Sequence, residues 1–198
     1  MEIFFVTGNN GKFLTAQKEL SEFNIQLVQK DIDIPEPRSY DIMEIAREKA
    51  IKAYEILKKP LIVHDAGFYL KKWKDFPGPF TNHALQGLGL EGLLKLIEGE
   101  DRSCKFKNVL AYIDGSLKEP IFFESNINGT ASEQSRGSSH KRSWSKLHSI
   151  FIPETFNKTL AEMTDKEYDE YMSWRVQKEP IFRDFGLWLK DKNKAMSL

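Results

Sequence analysis

Three places in this 198-residue chain hold residue types that could handle a metal-bound polyphosphate. The first is Thr7-Gly8-Asn9-Asn10-Gly11-Lys12, which follows the apolar run Ile3-Phe4-Phe5-Val6. Gly and Asn tolerate φ > 0 and turn a chain sharply. Helical spacing resumes at Phe13, Ala16 and Leu20. Strand, polar turn and helix together aim backbone N–H groups and a helix N-terminus at one spot, a natural seat for phosphate. Lys12 adds a movable positive charge there, and Thr7 and Asn9 add side-chain hydrogen bonds. The second place is Glu36, between Pro35 and Pro37 in an extended acidic segment. The third is Asp65, in His64-Asp65-Ala66-Gly67, where the buried strand Leu61-Ile62-Val63 is expected to emerge. Two hard carboxylates beside a phosphate cradle would hold Mg²⁺, which takes few protein oxygens and keeps water and phosphate oxygens. Each piece also has a plain reading, since turns, caps and solvated loops use the same residues.

Other chemistries find less support. His64, His83, His140 and His148 show no metal-ligand spacing, and Cys104 is the one cysteine, which excludes an internal disulfide and a Cys-based zinc site. The run His140-Lys141-Arg142-Ser143-Trp144-Ser145-Lys146 is basic with one aromatic. It reads either as a solvated loop closing over an anionic ligand or as a contact for single-stranded nucleic acid. Lys+Arg 29 against Asp+Glu 29 leaves no net charge and so no global field for nucleic acid or an acidic membrane.

The elements that must position these groups alternate. A strand over Ile3–Val6 precedes a helix from Lys12, and Ile25 to Val28 forms a second strand. Asp41 and Glu44 mark the start of a long helix that ends before Pro60, with Ile42, Ala46, Ala50, Ala53 and Leu57 on one face. Leu61–Val63 is a buried strand, Phe68–Leu70 a hairpin arm, and Phe76-Pro77-Gly78-Pro79 a rigid turn. Leu85 to Ile97 gives helix broken near Gly89. Phe106–Ile113 and Ile121–Phe123 flank the hairpin signal Asp114-Gly115, and Ile127–Ala131 extends the meander. Ser132–Ser149 reads as a long mobile loop, Ile150–Pro153 as a strand, and two helices near Lys166–Met172 and Ile181–Leu189 close the chain. The expectation is an α/β fold with a mixed central β-sheet flanked by helices, one domain over 1–198. With 40% apolar and 29% charged residues, no apolar run of spanning length and no basic-then-apolar leader, the expected setting is cytoplasmic.

The order of the pieces resembles the inosine-triphosphate pyrophosphatase family, hydrolases of non-standard purine nucleoside triphosphates. Thr7–Lys12 matches its T-G-N-x-x-K loop, Ile34-Pro35-Glu36 its acidic position, and Ile45-Ala46-Arg47-Glu48-Lys49-Ala50 the following helix. His64–Phe68 matches [DE]-D-S-G-L, Phe76–Phe80 matches F-P-G-x-[YF], and Ile150–Pro153 and Thr159–Met163 fall in order. The resemblance implies two lobes, one around residues 104–153, with a cleft between them, usually in a homodimer. It implies attack of water on the α-phosphorus, giving nucleoside monophosphate and pyrophosphate in nucleotide-pool house-cleaning. Asp65 would be the general base and a metal ligand, with Glu36 a second ligand. Thr7, Gly8, Asn9, Asn10, Gly11, Lys12, Ala66, Ser173 and Arg175 would meet the substrate.

The departures cluster where the family reads the base. Its F-G-[YW]-D-P becomes Ser145-Lys146-Leu147-His148-Ser149, its S-H-R becomes Ser173-Trp174-Arg175, and a substrate-contacting lysine aligns with Asp169. His64 replaces an acid beside Asp65, which would weaken Mg²⁺ binding, and Ala66 replaces a serine. Trp144 or Trp174 could stack on a base instead, or simply pack. The readings are therefore a pyrophosphatase of the family's usual kind, one acting on another nucleotide, a nucleotide-binding relative without activity, or a nucleic-acid-binding module.

Overall fold

The computed structural model describes residues 1–35, 37–138 and 143–195. Its strands are β1 (Glu2–Val6), β2 (Gln26–Lys30), β3 (Leu61–Leu70), β4 (Phe76–Gly78), β5 (Ser103–Ile113), β6 (Ile121–Ala131) and β7 (Phe151–Pro153). Its helices are α1 (Asn10–Leu20), α2 (Ile42–Leu57), α3 (Thr81–Leu96), α4 (Asp165–Lys178) and α5 (Ile181–Ala195). The sheet runs β2-β1-β3-β5-β6-β7, with β4 paired to β3. β1 pairs parallel with β2 and β3, while β3–β4 and β6–β7 are antiparallel. The expected mixed-sheet α/β class is what the chain adopts.

The chain divides into two compact units. The first comprises Met1–Asp65, Val109–Ser125 and the residues from Pro180 onward. Side chains on a strand alternate between faces, and here each face has its own core. Ile3, Phe5, Ile62, Leu110 and Tyr112 pack with Ala16 and Leu20 of α1 and with Phe182, Phe185 and Leu189 of α5. Val6, Leu61, Val63, Val109, Ala111 and Ile113 pack with Ile42, Ala46, Ala50 and Ala53 of α2. The three alanines present little side chain between α2 and the strands.

The second unit comprises Ala66–Asn108 and Asn126–Glu179, built on Phe68, Leu93, Ile97, Phe106, Phe151, Leu160, Tyr168 and Tyr171. The Thr81 hydroxyl donates to Gly78 O (2.6 Å) and accepts from Phe68 N (2.8 Å), so it pins the turn after β4 to β3. α3 does break at Gly89 (φ 67°, ψ −176°), a backbone conformation that a side chain disfavours.

Three expectations are corrected. β3 runs unbroken through His64 and Asp65 to Leu70, so Asp65 sits in the middle of a strand rather than where one emerges. Phe76–Gly78, read as a rigid turn, is instead a short strand with a cis Phe76–Pro77 bond. The segment read as a mobile loop is anchored at its C-terminal end, where Lys146–Ser149 forms a 3₁₀ turn with Leu147 fully buried, while Glu133, Gln134, Ser135, Gly137 and Ser138 are exposed. The apolar positions Leu147 and Ile150 supply the anchor. Among the described residues, no helix is long and apolar enough to cross a membrane.

Candidate active site

The turn after β1 is shaped by its own polar side chains. Thr7 N donates to Lys30 O (2.8 Å) and Gln29 Nε2 to Thr7 O (3.1 Å), which ties the end of β1 to β2. Asn9 N donates to Thr7 Oγ1 (3.1 Å), and Asn9 caps α1 by accepting from Lys12 N at 3.0 Å. Thr7 Oγ1 and Asn9 Oδ1 thus help to shape the turn. Neither Gly8 nor Gly11 needs a left-handed backbone. Gly8 is required for closeness instead, since a Cβ there would sit 2.8 Å from Asp31 Oδ1. Asn10 and Gly11 open α1, where backbone N–H groups have no acceptor within the helix, and no acid occupies that first turn.

Lys12 leaves this turn and reaches β3, where its Nζ donates to His64 O at 3.0 Å. The next residue is Asp65. By strand alternation Asp65 shares the face of Leu61 and Val63, which α2 covers, and His64 shares the face of Ile62, which α5 covers. The contacts agree. The His64 ring meets Phe182 edge-on at 5.4 Å, while Asp65 Oδ1 accepts from Lys49 Nζ of α2 at 2.9 Å. His64 therefore faces away from the Asp65 carboxylate, and the acid-to-His change removes charge on the opposite side of the strand. The Asp65 and Lys49 side chains are only 13% and 18% exposed. Asp65 Oδ2 is buried with no hydrogen-bond partner among the described residues. A buried carboxylate oxygen without a donor is a costly arrangement that a ligand would relieve.

One helical turn beyond Lys49, Lys52 Nζ donates to Pro35 O (3.3 Å), so α2 holds both Asp65 and the residue before Glu36. Glu36 itself lies outside the described residues. Among the described residues no three His, Cys, Asp or Glu gather in a metal cluster. Asp65 offers one hard oxygen, which suits Mg²⁺ completed by phosphate and water rather than a closed protein cage.

The remaining candidates belong to the second unit. Ala66 is half-buried on β3. Ser173 is exposed on α4 and its Oγ donates to Asp169 O at 2.9 Å. Arg175, two positions on, points elsewhere on the helix and is buried, which pushes its guanidinium down to about 10. Trp174 packs on Phe156 and Tyr171. Trp144 meets Phe106 at 5.2 Å and His148 at 5.1 Å edge-on, and His148 is buried with Nδ1 3.0 Å from Ser143 Oγ. Both tryptophans thus pack within this unit. The other half of the basic run, His140 to Arg142, lies outside the described residues.

Sequence reasoning missed Lys49. It lies between Ala46 and Ala50 on α2, at the margin of the buried stripe, and a lysine at such a margin is the available signal.

A family model described as "Ham1 family" matches residues 3–177. A curated dITP/XTP pyrophosphatase of Saccharolobus solfataricus is 36% identical, with 93% of each chain covered. One from Thermococcus kodakarensis is 32% identical, covering 98% of this chain and all of the relative. A solved HAM1 protein structure from Coxiella burnetii superposes with TM-score 0.77 over 96% of this chain and 99% of that one, at 20% identity, which speaks to the fold.

Proposed function

The chain belongs to the Ham1 family, and from that premise we propose that it is a nucleoside triphosphate pyrophosphatase. It hydrolyses non-standard purine nucleoside triphosphates to nucleoside monophosphate and pyrophosphate, using Mg²⁺. The observation that carries this reading is the meeting, within the first unit, of the α1 N-terminus and Lys12 with the β3 residue pair His64-Asp65. Curated relatives with the dITP/XTP pyrophosphatase name over nearly the whole chain support the substrate class.

The α1 N-terminus and Lys12 bind phosphate oxygens, Lys12 Nζ through charge-assisted hydrogen bonds. Asp65 takes a proton from the attacking water through its carboxylate. The new bond joins that water oxygen to the α-phosphorus, the bond from the α-phosphorus to the bridging oxygen breaks, and pyrophosphate leaves with the electron pair. Asp65 and Glu36 would hold Mg²⁺, which would supply charge neutralisation at the phosphate oxygens. Lys49 keeps the Asp65 carboxylate oriented. The resemblance also implies a cytoplasmic homodimer; sedimentation of the purified protein tests the dimer, and cell fractionation the compartment.

A panel of nucleotides with Mg²⁺ is the direct test. Pyrophosphate should be released from ITP and XTP faster than from ATP. A second reading, altered base preference or lost activity, draws on the packed Trp144–His148 segment and the changed residues there. Equal rates on all triphosphates favour altered preference, and binding without pyrophosphate release favours lost activity.

A further inference from the structure

The first unit also carries an open cavity at the other end of its strands. A groove of about 630 Å³ is lined by Phe23, Ile25, Gly186, Leu189, Lys190 and Lys194, among others. Phe23 and Ile25 lead into the start of β2, whereas the phosphate turn follows the end of β1. β1 spans five residues, or roughly 16 Å, and the two strands run parallel. The groove is therefore separate from the turn and from Asp65.

Its construction follows from the sequence. Positions 186, 189, 190, 193 and 194 recur at helical spacing and form one stripe of α5. Gly186 lets the Phe23 ring lie against the helix, because a Cβ at 186 would come within 2.5 Å of Phe23 Cδ2. The floor is apolar, with buried Leu189 beside half-buried Phe23 and Ile25. The rim is cationic: Lys190 and Lys194 are one helical turn apart and exposed, and among the described residues no Asp or Glu lines the groove. Lys192, on the other side of the helix, is committed to Asp114 at 2.6 Å. Lys194 has an exposed pair with Asp191 at 3.9 Å, of the kind that contributes little. Its volume falls in the range that encloses a small molecule.

We infer that this groove binds a small amphipathic anion, with an aromatic or alkyl body on the Phe23–Leu189 floor and a single carboxylate, sulfonate or phosphate between Lys190 and Lys194. Ammonium groups at i and i+4 can both reach one oxyanion. The charge of the rim selects an acid over a neutral molecule of the same shape.

The test uses the fluorescent probe 8-anilino-1-naphthalenesulfonate on the full chain, with dodecanoate and dodecanol as competitors. Expected are saturable binding at one site per chain, displacement by dodecanoate, little displacement by dodecanol, and none by saturating ITP. The double variant Lys190→Glu/Lys194→Glu should weaken the probe tenfold or more while keeping the wild-type melting temperature within a few degrees. Failure to saturate, equal affinity in the double variant, or equal competition by the alcohol would overturn the inference. So would displacement by ITP, which would return the probe to the phosphate turn. Loss of probe binding as protein concentration rises would overturn it too, because a second copy of the chain would then cover the groove.

Discussion

Lys49 Nζ lies 2.9 Å from Asp65 Oδ1, joining the middle of α2 to the middle of β3 through two largely buried side chains. Removing one partner of such a pair strands the other. Lys49→Met keeps the length of the side chain and loses the charge. It should lower kcat/KM at least tenfold and reduce thermal stability, measured by pyrophosphate release and by a melting curve. Wild-type activity in this variant would remove Lys49 from the site.

Asp65→Asn is nearly isosteric and keeps an oxygen to accept from Lys49, so the fold should survive. Turnover should fall on the order of a thousandfold, the range expected for losing a positioned base. Circular dichroism with a substrate-binding titration separates loss of chemistry from loss of structure. Retention of most activity would remove Asp65 from the role of base.

Lys12, whose Nζ donates to His64 O at 3.0 Å, is placed by the proposed reading against the phosphate oxygens of the substrate. Lys12→Ala should therefore act mainly on KM, at a cost of about 2–4 kcal/mol in substrate affinity for a charge-assisted phosphate contact. A kcat loss with KM unchanged would point to a role confined to the transition state.

Much of this architecture was legible in the sequence because burial on two faces leaves strong marks. Ile3–Val6 and Leu61–Val63 read as buried strands, and Ala46, Ala50 and Ala53 mark the face of α2 that meets them. The turn after β1 was legible as a turn into a helix, though the hydrogen bonds within it were not. Whether Asn9 caps a helix or greets a ligand depends on hydrogen-bond geometry that spacing does not encode. The face of His64 could have been read by counting from Ile62, since parity along a strand is strict. The extent of β3 was hidden because Gly67 ordinarily ends a strand; here a Cβ at 67 would meet Gly78 O, so the glycine admits the neighbouring strand β4. Lys49 was hidden because a lysine on a helix margin is usually just solvated.

Asp114 offers a stability test away from the chemistry. Its carboxylate, at the turn after β5, accepts from Lys192 Nζ (2.6 Å), Tyr112 OH (2.7 Å), Ser116 Oγ (2.7 Å) and Ser116 N (2.9 Å). This fastens α5 to the β5–β6 connection. Burial pushes the carboxyl up, but the hydrogen bonds from Lys192, Ser116 and Tyr112 outweigh it and hold the group well below the usual carboxylate range. A carboxyl depressed in the folded state adds stability above its unfolded value of about 4, and loses that contribution as pH falls toward the folded value. Asp114→Asn should therefore cost about 1.5–3 kcal/mol at pH 7, the scale of hydrogen bonds to a charged group. The gap between wild type and variant should stay constant from pH 7 to about 5 and then narrow steadily below pH 4. Urea unfolding at a series of pH values measures both numbers; a gap that widens on acidification would mean that Asp114 is not the group holding α5 in place.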